Sequence, residues 1–297
     1  MAKPNARRRW RWTAILIIVS SAVFFTLSVD GNNSKIAKTR ITIAGSTSVQ
    51  PYIGLISEEY EKKFMSVTVN VQGGGSSNGI KAVIDGTADI GMSSRALKPD
   101  EAEKLDYIVI ARDGLVLITH KDNPVDRLSI EQVRGIYSGK ITDWGEVGGE
   151  SGRAFHLFTR EAGSGTRMVF EEEIMTFTNE EGEEIVLTIT AESMVLNSNG
   201  AIKAMVSGDL NALGFISLGM VDDTVRGLQL DGVAPTLENV NKGVYRLYRE
   251  FLLVLNPQIS YSDSNAINDF INFILSEDGR EILVNESLVP VAAVHCH

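Results

Sequence analysis

The chain has 297 residues, of which 43% are hydrophobic and 22% charged, a composition that excludes extensive disorder and fits one or two globular domains. Five basic residues lie within the first twelve, so the net charge of −10 for the whole chain becomes −15 for the rest, which argues against nucleic acid as a partner. The single cysteine, Cys296, excludes an internal disulfide, and the terminal run from His295 to His297 is too short to fix a metal geometry.

Residues 1–40 have the pattern of an export segment. Basic residues 7–11 precede an uncharged apolar run of 17 residues, 13–29, a length between that of a signal-peptide core and that of a membrane span. The arginines would keep the N-terminus in the cytoplasm and place the rest outside, in the periplasm or at the cell surface. No clear cleavage motif or lipid-accepting cysteine follows, so a cleaved signal and an uncleaved anchor that contacts the membrane both stay open. Residues 30–38 would form a polar tether.

From residue 41 onwards, strand and helix patterns alternate, which indicates α/β layers with mostly parallel strands. The predicted strands are residues 41–44, 67–72, 89–92, 107–111, 115–119, 155–159 and 251–255, with Asp113 and Gly114 separating the fourth from the fifth. Apolar residues at helical spacing predict helices over 49–64, after residue 77, over 129–137 with Ser129 as the cap, after residue 166, and over 267–274.

A short internal similarity links residues 77–82 (SNGIKA) with residues 198–204 (SNGAIKA). Each copy begins a predicted helix that leads to a short strand. The similarity fits two lobes built on related units, although two capped helices can also match by coincidence. It raises the hypothesis that the turn at Ser198, Asn199 and Gly200 brings a further helix N-terminus to the ligand site.

Three loops share one design, in which a strand ends in small hydroxyl and glycine residues and a helix then begins. They are the 45–48, 75–77 and 163–166 loops. The first helical turn leaves N–H groups unpaired, glycine permits close approach, and serine and threonine add donors, so such loops bind anions. Each loop alone is better explained as a helix cap. Because ligands of open α/β sheets bind beyond the carboxyl ends of the strands, the three together predict an anion site.

Charged residues near these loops have two interpretations, as anion ligands or as salt bridges. For Arg160, beside the 163–166 loop, we favour the anion site, because guanidinium donors suit phosphate oxygens. Arg95 fits either interpretation, and Arg167 is expected to pair with Glu171, four residues on.

The lysine of a nucleotide-binding P-loop is missing after Gly165, which disfavours nucleotides.

The sequence has no arrangement that would activate a nucleophile. It contains neither a nucleophile elbow nor a zinc-binding HExxH motif, and it has no paired cysteine ligands. We therefore expect a binding protein with no catalytic residues, metal or cofactor. A phosphoester-processing enzyme is disfavoured for the same reason.

Five segments resemble the phosphate-binding proteins of ABC phosphate transporters. They are GSTSVQP at 45–51, GGGSS at 73–77, ADIGMSSR at 88–95, ITDW at 141–144 and REAGSGTR at 160–167. The resemblance implies a type II periplasmic-binding-protein-like fold, with two α/β lobes joined by two crossing strands within residues 107–119 and 245–255. Lobe one would comprise residues 41–112 and 245–297, and lobe two residues 113–244.

The resemblance also implies the ligand contacts. Four would come from lobe one and four from lobe two, so that binding closes the cleft between them. They are Thr47, Ser48, Ser76, Ser94, Arg160, Ser164, Gly165 and Thr166.

The chain departs from the family pattern at two positions. Well-known members have an aspartate where Ser94 stands, which accepts a hydrogen bond from protonated phosphate and helps to reject sulfate. A serine hydroxyl can donate or accept, so it discriminates less sharply. The aspartate that often pairs with the site arginine is Ala162 here, and Glu161 is the expected substitute. Both changes resemble another branch of the family, and they affect selectivity among oxyanions.

The function implied is an extracytoplasmic substrate-binding protein that captures inorganic phosphate and delivers it to the membrane permease of an ABC importer. Two alternatives stay open. One is a membrane-tethered phosphate sensor, and the other is a receptor for another tetrahedral oxyanion such as sulfate or molybdate.

Overall fold

The computed structural model describes residues 39–258 and 265–296. The predictions for a signal peptide, an anchor and a tether fall almost wholly on residues 1–38, outside this range. The described residues belong to one compact unit. Within the described residues, no helix combines the length and apolar character needed to cross a bilayer.

The first part of the chain alternates strands with helices, as predicted. Its elements are β1 (Thr39–Gly45), α1 (Gln50–Lys63), β2 (Val67–Gly73), α2 (Ser76–Ile84), β3 (Ile90–Ser93), α3 (Pro99–Ala102) and β4 (Asp106–His120). Within α2, Ile80 and Val83 are buried, whereas Ile84 at the end of the helix is exposed.

The middle part is built from shorter elements. They are β5 (Arg127–Leu128), α4 (Ile130–Tyr137), a 3-10 turn (Trp144–Val147), β6 (His156–Arg160), α5 (Gly165–Phe170), a π-helical turn (Glu171–Met175), β7 (Thr176–Thr178), β8 (Glu184–Val186), β9 (Met194–Leu196), α6 (Asn199–Ser207) and β10 (Ala212–Ser217). Ser129 caps α4 as predicted, since its hydroxyl accepts a hydrogen bond from the Gln132 amide.

The last part returns the chain to the sheet. Its elements are a 3-10 turn (Leu218–Met220), β11 (Val225–Gly227), β12 (Gln229–Leu230), α7 (Leu237–Asn241), β13 (Tyr248–Leu255), α8 (Asn265–Leu275), α9 (Glu277–Asn285) and β14 (Val289–Cys296).

One extended sheet runs through the molecule in the order β2-β1-β3-β13-β4-β10-β6-β9, with β11 and β14 also paired to β4. Strands β1, β2 and β3 are parallel, and β6 is parallel to both β9 and β10. The carboxyl ends of the parallel strands therefore carry the predicted loops, at the edge where α/β sheets bind ligands.

Strand β4 is continuous, whereas the sequence predicted two strands separated at Asp113 and Gly114. Its first part pairs with β13 and its later part with β10. Asp113 is fully buried in the strand, where Arg249 and Ser217 satisfy its carboxylate. A Cβ at Gly114 would lie 3.1–3.3 Å from Val240 and Leu218, so this glycine permits close packing instead of forming a turn.

Two large hydrophobic clusters lie along this sheet. In the first, α1 and α8 cover β1, and Tyr60 meets Phe270 edge-on at 5.0 Å. In the second, Phe170 stacks on Phe215 at 4.2 Å, and Tyr137 meets both rings edge-on. Strand β4 supplies apolar side chains to both clusters, from its first part to one and from its later part to the other. Each fully buried large apolar side chain contributes about 1.5–3 kcal/mol to folding.

Candidate functional site

The three predicted loops meet in space. The Ser77 amide donates a hydrogen bond to the Gly163 carbonyl over 3.1 Å. A Cβ placed on Gly165 would lie 2.5 Å from Ser76 Oγ and 2.7 Å from Ser94 Oγ. The 163–166 loop therefore packs directly against the 75–77 loop and the end of β3, and glycine at 165 is required by that approach.

Ser48 lies at the junction between these loops and two other elements. Its Oγ accepts hydrogen bonds from Asn199 Nδ2 at 2.8 Å and Arg249 Nη2 at 3.0 Å, and it lies 2.9 Å from Thr166 Oγ1. A hydroxyl has two acceptor lone pairs and one proton. Because two N–H donors occupy the lone pairs, the Ser48 proton is directed to Thr166, whose own hydroxyl is then free to donate.

A second chain of hydroxyl groups connects Ser46, Ser94 and Ser76. Ser46 Oγ donates to Ser94 Oγ at 2.9 Å, the Ser94 amide donates to Ser76 Oγ at 3.1 Å, and the Oγ atoms of Ser76 and Ser94 lie 3.3 Å apart. All three serines are buried. Ser46 was absent from the predicted contacts, although it belongs to the same loop as Thr47 and Ser48.

Arg160 is held at the end of β6 with 1% of its surface exposed. Its Nε and Nη2 donate to the two carboxylate oxygens of Glu161 at 2.9 and 2.8 Å, and Nη2 also approaches the Asn197 carbonyl at 3.4 Å. Glu161 thus pairs with the arginine as predicted, in the geometry that gives the strongest charge-assisted hydrogen bonds. Arg167 pairs with Glu171 at 2.8 Å, again as predicted.

Arg249 and Asp113 form a buried ion pair that the sequence reasoning missed. Arg249 Nε and Nη2 donate to Asp113 Oδ2 at 3.1 and 3.0 Å, and Ser217 Oγ donates to Asp113 Oδ1 at 2.7 Å. Burial raises the pKa of the Asp113 carboxyl, and Arg249 and Ser217 oppose that shift. Burial lowers the pKa of Arg249 and the positive charge of Arg160 adds to that shift, whereas Asp113 opposes it.

Asn199 is a further residue that the predicted contacts lacked. It is the first residue of α6, is fully buried, and donates through Nδ2 to Ser48 Oγ and, at 3.3 Å, to Thr47 Oγ1. The similarity between residues 77–82 and 198–204 was the available signal. The hypothesis that this turn lies at the site agrees with these contacts.

Arg95, which fitted either interpretation, has a structural role. Its guanidinium donates to both carboxylate oxygens of Glu101 at 2.7 and 2.8 Å, and to Ser77 Oγ at 3.2 Å. Burial opposes ionisation of Glu101, but the hydrogen bonds from Arg95 and from the Lys98 backbone outweigh it and lower the pKa of Glu101. The pair ties α3 to the start of α2.

All eight predicted contact residues lie in one cluster at this edge of the sheet. Ser164 caps α5 by accepting a hydrogen bond from the Arg167 amide at 3.3 Å, and it is buried with Gly165 and Thr166. Hydroxyl and guanidinium donors dominate, and the described residues contain no group of three His, Cys, Asp or Glu side chains placed to hold a metal. The cluster is therefore suited to binding an anion through hydrogen bonds.

Comparisons with known proteins agree with this architecture. Residues 32–278 match a PBP superfamily domain. A candidate phosphate ABC transporter substrate-binding protein from Clostridium perfringens, solved with bound phosphate, is 39% identical with a TM-score of 0.78, covering 86% of this chain and 100% of that one. An ABC-type phosphate transport receptor from Vibrio cholerae is 36% identical with a TM-score of 0.68, covering 85% and 100%.

A curated relative points the same way. Phosphate-binding protein PstS of Bacillus subtilis is 27% identical over 263 residues, which is 86% of this chain and 82% of that protein. The chain therefore belongs to the PBP superfamily, with the two-lobed α/β periplasmic-binding-protein-like fold that its loop motifs predict.

Proposed function

We propose that this protein binds inorganic phosphate as the substrate-binding protein of an ABC importer. One observation carries the proposal. Arg160 is buried and paired with Glu161 next to the 163–166 loop, and that loop lies against buried serine and threonine hydroxyls from the loops after β1, β2 and β3. The relatives named for phosphate, including one solved with phosphate bound, support the choice of ligand.

The proposed contacts are the eight residues predicted from the sequence, with Arg160 as the principal charge. They are Thr47, Ser48, Ser76, Ser94, Arg160, Ser164, Gly165 and Thr166. The rest of the chain beyond residue 12 carries −15, from −10 overall and +5 in the first twelve residues, so long-range attraction cannot gather an anion. Local donors must therefore supply the binding energy. In a site as buried as this one, such interactions are stronger than in water.

We further propose that the two lobes comprise residues 41–112 with 245–297, and residues 113–244. The two large hydrophobic clusters support this division, because each draws its side chains almost wholly from one of these sets. Strands β4 and β13 would be the crossings. Contacts such as Ser48 to Thr166 then join the two lobes, and ligand binding would favour the closed arrangement.

Binding without catalysis is the better-supported activity. The hydroxyls of the cluster bond to one another, to amides and to guanidinium groups, and none has a histidine as a hydrogen-bond partner among the described contacts. A serine needs a neighbouring base to act as a nucleophile. The relatives are likewise named for phosphate binding or transport.

An extracytoplasmic location and a membrane permease as partner belong to the same proposal. They rest on the basic and apolar pattern of residues 1–29 and on the relatives described as parts of ABC transporters. A phosphate sensor would share the binding site and differ in its partner. Capture of a permease by the protein, dependent on phosphate, would separate these two roles.

Calorimetric titration of the full chain, kept in mild detergent because of its apolar N-terminal run, tests the ligand. Phosphate should bind with one site per chain. Sulfate and molybdate serve as matched tetrahedral anions. Absence of phosphate binding together with tight binding of sulfate or molybdate would reject the phosphate assignment and retain an oxyanion receptor.

A further inference from the structure

Asn199 contains an unpaired acceptor at the centre of the hydroxyl cluster. Its side chain is fully buried, and Nδ2 bonds to Ser48 Oγ and Thr47 Oγ1. Its Oδ1 is also buried, and no atom of the described residues donates to it. Buried carbonyl oxygens nearly always accept a hydrogen bond, because leaving one unmade forfeits its interaction with water. This oxygen is therefore available to a ligand.

The two carboxylates near the cluster and two of its hydroxyls already accept hydrogen bonds. Both oxygens of Glu161 accept from Arg160, and both oxygens of Asp113 accept from Arg249 or Ser217. Ser48 Oγ accepts from two N–H groups, and Ser94 Oγ accepts from Ser46. An anion at this site thus meets mainly hydrogen-bond donors. Asn199 Oδ1 differs from these acceptors because no group of the described residues donates a hydrogen bond to it.

We propose that Asn199 is the specificity-determining residue of the site, and that its Oδ1 accepts the proton of a singly protonated tetrahedral oxyanion. The inference rests on the proposed function and deepens it. Hydrogen phosphate carries a P–OH group that can donate to this oxygen. Sulfate carries no proton at neutral pH, so one of its oxygens would face the Oδ1 lone pairs with no hydrogen between them.

Sites with a buried polar group matched to a ligand hydroxyl reject analogues that lack the hydroxyl, because the protein group is left unpaired. We therefore expect the wild-type chain to prefer phosphate over sulfate by about 100-fold or more. The hydrogen bonds that Asn199 Nδ2 donates to Ser48 and Thr47 hold the loops together. Their loss would weaken both anions alike, so the ratio of the two affinities isolates the role of Oδ1.

The test is calorimetry of the full chain with phosphate and with sulfate at neutral pH, on the wild type and three variants. Asn199→Ala removes the acceptor, and the preference for phosphate should fall by about tenfold or more. Asn199→Asp keeps an acceptor at the same position, so both affinities should fall while the preference is retained. Gly200→Ala is the matched control, because it changes the residue next to Asn199 in α6, its added Cβ has no neighbour within 4 Å, and Oδ1 stays in place; its preference should be unchanged.

Three results would overturn the proposal while leaving phosphate binding intact. They are a wild type that binds the two anions equally, an Asn199→Ala variant that keeps the wild-type preference, and an Asn199→Asp variant that loses it. If thermal melting shows that Asn199→Ala does not fold, the wild type and Asn199→Asp decide the matter. A wild type that binds no phosphate instead rejects the proposed function itself.

Discussion

Arg249 Nη2 lies 3.0 Å from Ser48 Oγ and donates to it, while the same guanidinium pairs with Asp113 on β4. One buried side chain on β13 therefore joins the loop after β1 to the central strand. Since Ser48 in turn contacts Thr166 and Asn199, the position of the hydroxyl cluster depends on this ion pair. Arg249 Nη1 has no hydrogen-bond partner in the described part of the chain.

Breaking the Asp113–Arg249 pair by removing one partner should strongly destabilise the fold. Asp113→Asn leaves a buried guanidinium without its counter-charge, and we expect the free energy of unfolding to fall by about 3–5 kcal/mol. Urea denaturation followed by circular dichroism measures the change. Asp222→Asn, which breaks the more exposed pair with Lys203, is the matched control and should cost about 0–1 kcal/mol. Equal effects of the two substitutions would contradict the structural account.

Arg160 should supply a large part of the binding energy. Arg160→Ala removes a desolvated charge beside the 163–166 loop, so phosphate affinity should weaken by about 2–4 kcal/mol. Arg153→Ala is the control, because Arg153 lies on the surface and pairs with Glu150 at 3.2 Å. Calorimetric titration measures the phosphate affinity of both variants. An affinity of Arg160→Ala that equals the wild type would show that this loop does not bind the ligand.

Gly165 is expected to be required for the loops to close on the ligand. The Cβ of Gly165→Ala would lie 2.5 Å from Ser76 Oγ and 3.1 Å from the backbone carbonyl carbon of Ser94, so the loops must separate. Phosphate affinity should fall at least tenfold, or about 1.4 kcal/mol.

Gly200 offers a matched control for that substitution. It also lies in the first turn of a helix, α6, but a Cβ there would have no neighbour within 4 Å. Gly200→Ala should therefore leave phosphate affinity unchanged, with a slightly higher melting temperature because alanine favours helix. If both glycine substitutions lowered affinity equally, the close approach at Gly165 would not be the cause.

The loops were predictable because their signals are local. A strand end, glycines and hydroxyl residues within four positions are enough to indicate an anion site, and the structure brings all eight predicted residues together. Arg249 was not predictable in this way. It lies 201 positions from Ser48, and the two come together through the sheet, in which β13 pairs with β3 and β3 with β1. The sequence predicts a break between two strands at Asp113 for the same reason, since Arg249, the partner of its buried carboxylate, is distant in sequence.

The Arg95–Glu101 pair, which ties α3 to α2, should make the stability of the fold depend on pH. Because the folded-state pKa of Glu101 is lowered, the stabilisation from its charge is fully present above the unfolded-state pKa of about 4.3 and is lost as the pH falls through the folded-state pKa. Glu101→Gln should therefore lower the free energy of unfolding by about 1–3 kcal/mol at pH 7.

The difference between this variant and the wild type should shrink as the pH is lowered below about 4.3, because the wild-type carboxyl loses its charge when the pH passes through its lowered pKa. Urea denaturation at pH 7 and at successively lower pH values measures it. Glu131→Gln is the control, since Glu131 is exposed and makes a longer contact of 3.4 Å with Arg134, so its effect at pH 7 should be small. A pH-independent loss for Glu101→Gln would mean that the amide fails to fit, and that the charge of Glu101 is not what holds Arg95.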